Sequence, residues 1–227
     1  MSAVLEMEPI VSPAKVSGAA PLEQHLLIRA DWDGYQRFLA ARGEDYPALK
    51  ITYNRGVLEL MTVSMEHERF KKLLARLVEL LSFALDWEIT CCGQMTINRA
   101  DLDRGFEPDE CYYIQNGTKM KGVRKLDLDR DPPPDLAIEI EVSRSLSNRI
   151  DIYGAIKIPE IWRYDGETLT VQLLQPDGAY QETSTSLAFP KLDLEIVRSV
   201  LSEARADSEN RALRRFHSWI GKNMTSS

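Results

Sequence analysis

Two glutamates stand inside an apolar stretch that alternates like a β-strand, and no other feature constrains the fold of this chain as strongly. Residues 135–142 read Asp-Leu-Ala-Ile-Glu-Ile-Glu-Val. Successive residues of a strand point to opposite faces, so Glu139 and Glu141 are predicted to share one face. Acidic residues are depleted in strands, and two carboxylates on one face repel each other unless a cation compensates them. The stretch therefore predicts a central strand with an acidic, cation-binding face.

The segments around this strand predict a mixed α/β domain built on one curved sheet. Apolar residues recur every three or four positions from Phe70 to Ala84, the pattern of an amphipathic helix, and Ser64 is its predicted N-cap. Two β-rich runs flank Asn54-Arg55-Gly56, which predicts a hairpin. Further strands are predicted at 87–91, 107–114, 161–164 and 169–174, and further helices at 31–39, 143–153, 194–204 and 207–220.

The overall composition restricts the classes of function that fit the chain. Its 227 residues carry a formal net charge of −7, which argues against bulk, non-specific nucleic-acid binding. No apolar run approaches the roughly 20 residues of a membrane span, and no secretory signal is expected. Cys91, Cys92 and Cys111 make a poor disulfide framework and are predicted to be small buried thiols in a reducing compartment. These features predict a cytoplasmic protein with no membrane partner.

A third acidic residue extends the predicted cation site. Asp109 lies within an aromatic and apolar run that is predicted to be a neighbouring strand. With Glu139 and Glu141 it would offer the oxygen ligands that Mg²⁺ or Mn²⁺ prefers. Such an ion polarises a phosphoryl oxygen and lowers the pKa of a bound water. The three carboxylates therefore suit hydrolysis of a phosphodiester.

Three segments resemble, in their order along the chain, the Uma-two family of restriction-endonuclease-like proteins, also called domain of unknown function 820. They are 107–114 (Glu-Pro-Asp-Glu-Cys-Tyr-Tyr-Ile), 134–143 (Pro-Asp-Leu-Ala-Ile-Glu-Ile-Glu-Val-Ser) and 158–164 (Ile-Pro-Glu-Ile-Trp-Arg-Tyr). The resemblance spans roughly residues 30 to 200. It implies the PD-(D/E)XK nuclease superfamily, with an αβββαβ core on a mixed curved sheet and divalent-metal hydrolysis of DNA. Asp109 then corresponds to the "PD" aspartate and Glu139 to the acidic residue of "(D/E)XK".

The chain departs from the superfamily pattern at the lysine position, which holds Glu141. The resemblance moves the cation to the following helix, four residues before a tyrosine, where this chain has Arg149 before Tyr153. Arginine stays charged and can contact a phosphate, but it is a poor proton donor. The resemblance also marks His67, which would face the metal cleft and help to position water; the alternative for His67 is an exposed first-turn residue.

The predicted organisation is a mobile arm at 1–20, a restriction-endonuclease-like domain at 21–205 and a helical extension at 206–227. An N-terminal hairpin and C-terminal helices are additions to the core. The predicted function is a divalent-metal-dependent endonuclease that hydrolyses DNA. Two alternatives stay open: a catalytically inactive nuclease-fold module for binding or assembly, and a metal-dependent hydrolase of another phosphoester. A homodimer is also left open.

Overall fold

The chain forms two β-sheets with α-helices around them in a computed structural model, which describes residues 23–43, 48–143 and 149–224. The predicted arm at 1–20 and residues 144–148 of the predicted helix 143–153 lie outside the described residues. The elements are β1 (His25–Arg29), α1 (Trp32–Arg42), β2 (Leu49–Asn54), β3 (Val57–Thr62), α2 (Met65–Ala84), β4 (Thr90–Cys91), β5 (Ile97–Arg99), β6 (Arg104–Phe106), β7 (Glu110–Tyr113), α3 (Gly117–Met120), β8 (Leu136–Ile140), α4 (Arg149–Ile156), β9 (Glu160–Tyr164), β10 (Leu169–Leu174), β11 (Tyr180–Thr183), α5 (Leu194–Ala206) and α6 (Glu209–Asn223).

The larger sheet carries the predicted core. Its six strands follow the order β11-β10-β9-β8-β7-β4, and β8 and β9 run parallel, with Glu139 opposite Arg163 in the register. A parallel pair needs a crossover connection, and α4 lies in the one between β8 and β9. In chain order, helix α2, strands β4, β7 and β8, helix α4 and strand β9 give the order αβββαβ, with the smaller-sheet strands β5 and β6 and the short helix α3 inserted between them. The fold is therefore α/β with a restriction-endonuclease-like core, as predicted.

Helix α2 covers this sheet because one of its faces is apolar. The side chain of Ser64 accepts a hydrogen bond from the backbone N–H of His67, which caps the first turn. Phe70, Leu74 and Leu77 are buried in a core shared with β8, β9, α5 and α6. The C-terminal helix α6 joins the same core through Ala212, Phe216 and Ile220, which recur every four residues.

The smaller sheet shows where the sequence patterns were incomplete. It has five strands in the order β1-β3-β2-β6-β5, all antiparallel, so the described residues form two sheets and not the single one predicted. The hairpin formed by β2 and β3 was predicted. Strands β5 and β6 have three residues each, too short to show an alternation in the sequence. The turn at 54–56 places Arg55 and Gly56 at positive φ, as a tight hairpin requires.

Two local expectations were wrong. Asp109 lies at a bend directly before β7, not within the strand, because Pro108 cannot donate to a strand ladder. Of the three cysteines only Cys111 is buried; Cys92 is partly exposed and Cys91 is exposed at the short edge strand β4. No helix in the described part of the chain is long and apolar enough to cross a membrane.

Candidate active site

Asp109 is the centre of a buried cluster of charged side chains. Its position between β6 and β7 brings its carboxylate to the end of β8, where Oδ2 accepts a 2.8 Å hydrogen bond from the backbone N–H of Ile140. The other oxygen, Oδ1, lies 2.6 Å from Lys50 Nζ and 2.7 Å from His67 Nε2. One carboxylate thus joins a strand of each sheet and the first turn of α2.

Lys50 is the cation that links the two predicted acidic residues. It is the second residue of the hairpin strand β2, and its Nζ lies 3.8 Å from Glu139 Oε2 in addition to its short contact with Asp109. Its side chain is 1% exposed. A buried ammonium persists only when opposite charges compensate its desolvation, and here two carboxylates do so. The structure therefore brings Asp109 and Glu139 together around one positive charge.

Glu139 is held from its other side by two residues of α4. Arg149 Nη1 lies 3.0 Å from Glu139 Oε2, and the hydroxyl of Tyr153 donates to Oε1. Residues four apart lie on the same face of a helix, so Arg149 and Tyr153 both bind the carboxylate of Glu139. The predicted location of the cation at Arg149 is thus next to Glu139, but its guanidinium is already bound there.

His67 is buried and not an exposed first-turn residue. It lies between two carboxylates: Nε2 contacts Asp109, and Nδ1 lies 2.9 Å from Oε1 of Glu23, just before β1. Burial alone would lower the pKa of His67, but Asp109 and Glu23 raise it to about 9. The two carboxylates therefore favour the protonated form of His67, with a hydrogen bond between Nε2 and Asp109 and an ion-pair contact between Nδ1 and Glu23.

The pKa values of the two central acids, Asp109 and Glu139, are shifted in opposite directions. Burial raises the pKa of Asp109, but Lys50 and His67 outweigh this effect and hold the pKa below its usual value. For Glu139, burial and the nearby Asp109 raise the pKa, and Lys50 and Arg149 oppose them. Neighbouring carboxylates with pKa values pushed apart are a common property of sites for acid–base and metal chemistry.

Glu141 lies outside this cluster. Strand β8 ends at Ile140, and the carboxylate of Glu141 binds the guanidinium of Arg163 on β9, with the shortest contact at 2.7 Å. Both side chains are about a quarter exposed. Arg149 does not pair with Glu141, because its guanidinium is bound to Glu139. The role of Glu141 as a third ligand stays a prediction, since Arg163 would have to release it.

The donor set at the centre fits a hard divalent ion. Among the described residues, no three His, Cys, Asp or Glu side chains form a ready metal site. Asp109 and Glu139, however, already face one shared positive charge, the ammonium of Lys50. Mg²⁺ is commonly held by one or two carboxylates together with waters. The two acids therefore offer a minimal oxygen donor set, in which Lys50 occupies the position of a cation.

Comparison with known proteins identifies the family. The family model of Uma2, described as putative restriction endonuclease, matches residues 32–205, well over half of the chain. The chain belongs to the Uma2 family. Its fold is similar to that of a putative nuclease belonging to DUF820 from Anabaena variabilis ATCC 29413, with 15% sequence identity and a TM-score of 0.51 over 76% of this chain and 99% of the other. No curated protein matches the chain.

Three residues of this Uma2 cluster were not found from the sequence. Lys50 stands at the start of one β-rich run of the hairpin and Glu59 inside the other, so the argument used for acids in strands would have marked Glu59. Glu59 is buried, with Oε1 2.9 Å from His25 Nδ1 and Oε2 3.9 Å from Arg149 Nε. Glu23 precedes the first strand and has no local pattern. Its place beside His67 arises only from tertiary structure.

Proposed function

We propose that this Uma2 protein is a divalent-metal-dependent endonuclease that hydrolyses DNA phosphodiester bonds. The observation that carries the proposal is the pair of buried carboxylates, Asp109 and Glu139, around the single ammonium of Lys50. Family membership and the nuclease-like fold support a nucleic-acid substrate. DNA and the identity of the ion, Mg²⁺ or Mn²⁺, are the finer parts of the proposal.

In this proposal Asp109 and Glu139 hold the ion, which would supply Lewis acidity at the phosphoryl oxygen and a more acidic water. His67 donates to Asp109 and fixes the orientation of its carboxylate. Arg149 and Tyr153 do the same for Glu139. Lys50, the cation closest to both acids, stabilises the negative charge that grows on the phosphate as water attacks phosphorus and the bond to the leaving oxygen breaks.

Lys50 therefore takes the role that the family pattern gives to a lysine next to Glu139. Arg149 was predicted for this role, but its guanidinium is engaged by Glu139 at 3.0 Å and cannot easily release a proton. A lysine that enters from another strand keeps the chemistry of the pattern although its sequence position is occupied by Glu141.

An inactive binding or assembly module is the second candidate. The observation in its favour is that the cluster is closed: the side chains of Lys50, His67, Asp109 and Glu139 are at most 2% exposed. Every acid among them also has a cationic partner. A site of this kind stabilises a fold without any ligand, provided that the charges balance.

The test is cleavage of end-labelled single- and double-stranded DNA, and of RNA, with Mn²⁺, Mg²⁺ or EDTA. We expect metal-dependent cutting by the wild type, which Glu139→Gln abolishes. Glu160→Gln is the matched control, because it makes the same change in a buried glutamate of the adjacent strand. Cutting that survives EDTA or Glu139→Gln would refute the site. A folded wild type that cuts none of the substrates would favour the inactive module.

A further inference from the structure

Glu23 places a carboxylate in a small buried pocket beside the proposed catalytic centre. The pocket is made by the N-terminus of α2, by the imidazole of His67 and by Ser143, which follows β8. Glu23 is 2% exposed, although glutamate is rarely buried without a specific partner. Burial alone would raise its pKa, but the contacts with His67 and Ser143 lower the pKa to about 2. The pocket therefore holds an anion.

Each wall of the pocket supplies a donor. The backbone N–H and the hydroxyl of Ser64 both lie 3.3 Å from Glu23 Oε1, and the hydroxyl of Ser143 donates to Oε2. Nδ1 of His67 lies 2.9 Å from Oε1, yet this buried nitrogen has no well-aligned hydrogen bond. Its donor capacity is thus poorly used by a planar carboxylate. A tetrahedral oxyanion has more oxygens to offer to the same donors.

The location connects this pocket to the chemistry. His67 contacts Glu23 through one ring nitrogen and Asp109 through the other. An anion that replaced the Glu23 carboxylate would thus be separated from Asp109 by a single imidazole ring. The start of an α-helix of 20 residues also favours negative charge at this point.

We propose that this pocket is the phosphate subsite of the enzyme and that the Glu23 carboxylate occupies it in the resting protein. The inference rests on the proposed function, and it names what must leave before a phosphodiester enters. It also explains why the cluster is closed in the absence of substrate: the Glu23 carboxylate occupies the phosphate position until a nucleic acid displaces this carboxylate.

Displacement needs only a local movement. Glu23 precedes β1, which stays anchored to β3 by five register pairs from His25–Met61 to Arg29–Val57. Gln24 is tied to Thr62 by two hydrogen bonds of 3.0 Å. Rotation of the Glu23 side chain therefore empties the pocket while the strand remains paired.

A purely structural role makes a different prediction. Glu23 binds the N–H of Ser64, as the glutamate of a capping box does, while His67 stands at the position where that glutamate is usually found. If Glu23 were only a helix cap, removing its charge would lower stability and leave the affinity for phosphate unchanged.

The experiment measures binding of inorganic phosphate and of a short labelled single-stranded DNA by titration in EDTA, so that no cutting is required. We expect Glu23→Gln to bind both about tenfold more tightly than the wild type, or more, because an open state populated at about 10% or less reduces apparent affinity by that factor. Phosphate should also raise the melting temperature of Glu23→Gln more than that of the wild type. Adding Ser143→Ala should reverse much of the gain.

Glu68→Gln is the control. Like Glu23→Gln it removes one negative charge, but it does so in the first turn of α2. There the carboxylate of Glu68 pairs with Lys71 at 2.8 Å and does not contact the pocket. Equal gains in Glu23→Gln and Glu68→Gln would reveal a general charge effect and overturn the proposal, as would no gain in either. If Glu23→Gln does not fold, Glu23→Asp takes its place in the phosphate titration, because it keeps the charge but has a shorter side chain. Phosphate affinity above that of the wild type would support the pocket, and unchanged affinity would overturn it. Failure of both variants to fold would establish that Glu23 is a structural cap.

These results are separable from those on the proposed function. Tighter phosphate binding by Glu23→Gln without any metal-dependent cutting would support the pocket and refute the nuclease. Cutting that depends on Glu139, with phosphate affinity unchanged in Glu23→Gln, would support the nuclease and refute the pocket.

Discussion

Glu139 and Glu160 are buried glutamates on the neighbouring parallel strands β8 and β9, yet their surroundings differ in kind. Burial raises the pKa of both. Glu160 is bound by neutral donors: Trp162 Nε1 at 2.6 Å, Ser186 Oγ at 2.7 Å and the N–H of Ala188 at 2.7 Å. Glu139 is instead surrounded by the charged Lys50 and Arg149 and by Tyr153.

The difference separates a structural acid from a functional one. Ser186 and Ala188 tie their loop to β9, and together with Trp162 of β9 itself they satisfy both oxygens of Glu160 without a counter-charge. Charged partners around Glu139 come from a different sheet and a helix, and they can exchange for another cation. Burial or a shifted pKa alone would not distinguish the two residues, whereas the charge of the partners does.

The largest expected effect separates the two glutamates by activity. Glu139→Gln should reduce metal-dependent DNA cutting at least about 10²- to 10³-fold, the typical effect of removing one preorganised electrostatic contact. Glu160→Gln should leave the rate per folded molecule within about twofold. Rates measured at matched folded fractions check this. An equal loss in both variants would remove the distinction.

Lys50→Met should come next, because it leaves the buried Asp109 without its nearest cation. Breaking a buried ion pair from one side costs about 3–5 kcal/mol of unfolding free energy, and cutting should be lost as well. Lys121→Met, which breaks an exposed pair with Glu88, should cost less than about 1 kcal/mol. Urea denaturation compares them; similar losses in the two variants would contradict the central role of Lys50.

Glu160→Gln should lower stability by about 1–3 kcal/mol, since an amide nitrogen would face donors that now bind oxygen. The effect should appear in thermal and urea unfolding. A variant as stable as the wild type would show that the contacts of Ser186 and Ala188 contribute little, and Glu160 would lose its structural assignment.

The difference in unfolding free energy between the wild type and Glu160→Gln should depend on pH. The pKa of Glu160 is raised in the folded state by burial, although Ser186 and Trp162 oppose the shift. Its protonation therefore favours folding: this contribution is complete below the unfolded pKa of about 4.5 and is lost as pH rises through the folded pKa. The free-energy difference between wild type and Glu160→Gln should shrink with rising pH. A difference that is constant with pH would contradict a raised pKa of Glu160 in the folded state.

Glu141→Gln should have the smallest effect. Its pair with Arg163 is partly exposed, so the expected loss of stability is below about 1 kcal/mol, with cutting within about twofold. A large, metal-dependent loss of cutting would instead restore Glu141 as a third ligand that leaves Arg163 when the ion binds. Metal titration of the variant would reveal which description holds.

Local patterns predicted the core and two of its acids. Apolar residues at every third or fourth position located α2, acids in an apolar alternation marked Glu139, and Asp109 was added from the preceding segment at 107–114. The order αβββαβ, which the family resemblance implied, is present, although β4 has only two residues and carries no period of its own. The structure brings Asp109 and Glu139 together, as the sequence predicted.

The remaining parts depend on contacts between segments that are distant in sequence. Lys50 reaches the site from the smaller sheet, 59 residues before Asp109, and Glu23 is 44 residues before His67. No local period encodes such contacts. Glu141 was assigned from strand alternation alone, and its actual partner, Arg163, depends on the parallel register of β8 and β9.

The ion pair between Lys50 and Asp109 also joins the two sheets mechanically. If β2 opened away from β7 and β8, Asp109 and Lys50 would each lose a short buried contact at the same moment. Opening one sheet should therefore require nearly the free energy of opening both, so the backbone amides of β2 and β8 should exchange hydrogen at similar rates. A charge cluster suited to chemistry would then also make the two halves of the domain a single cooperative unit.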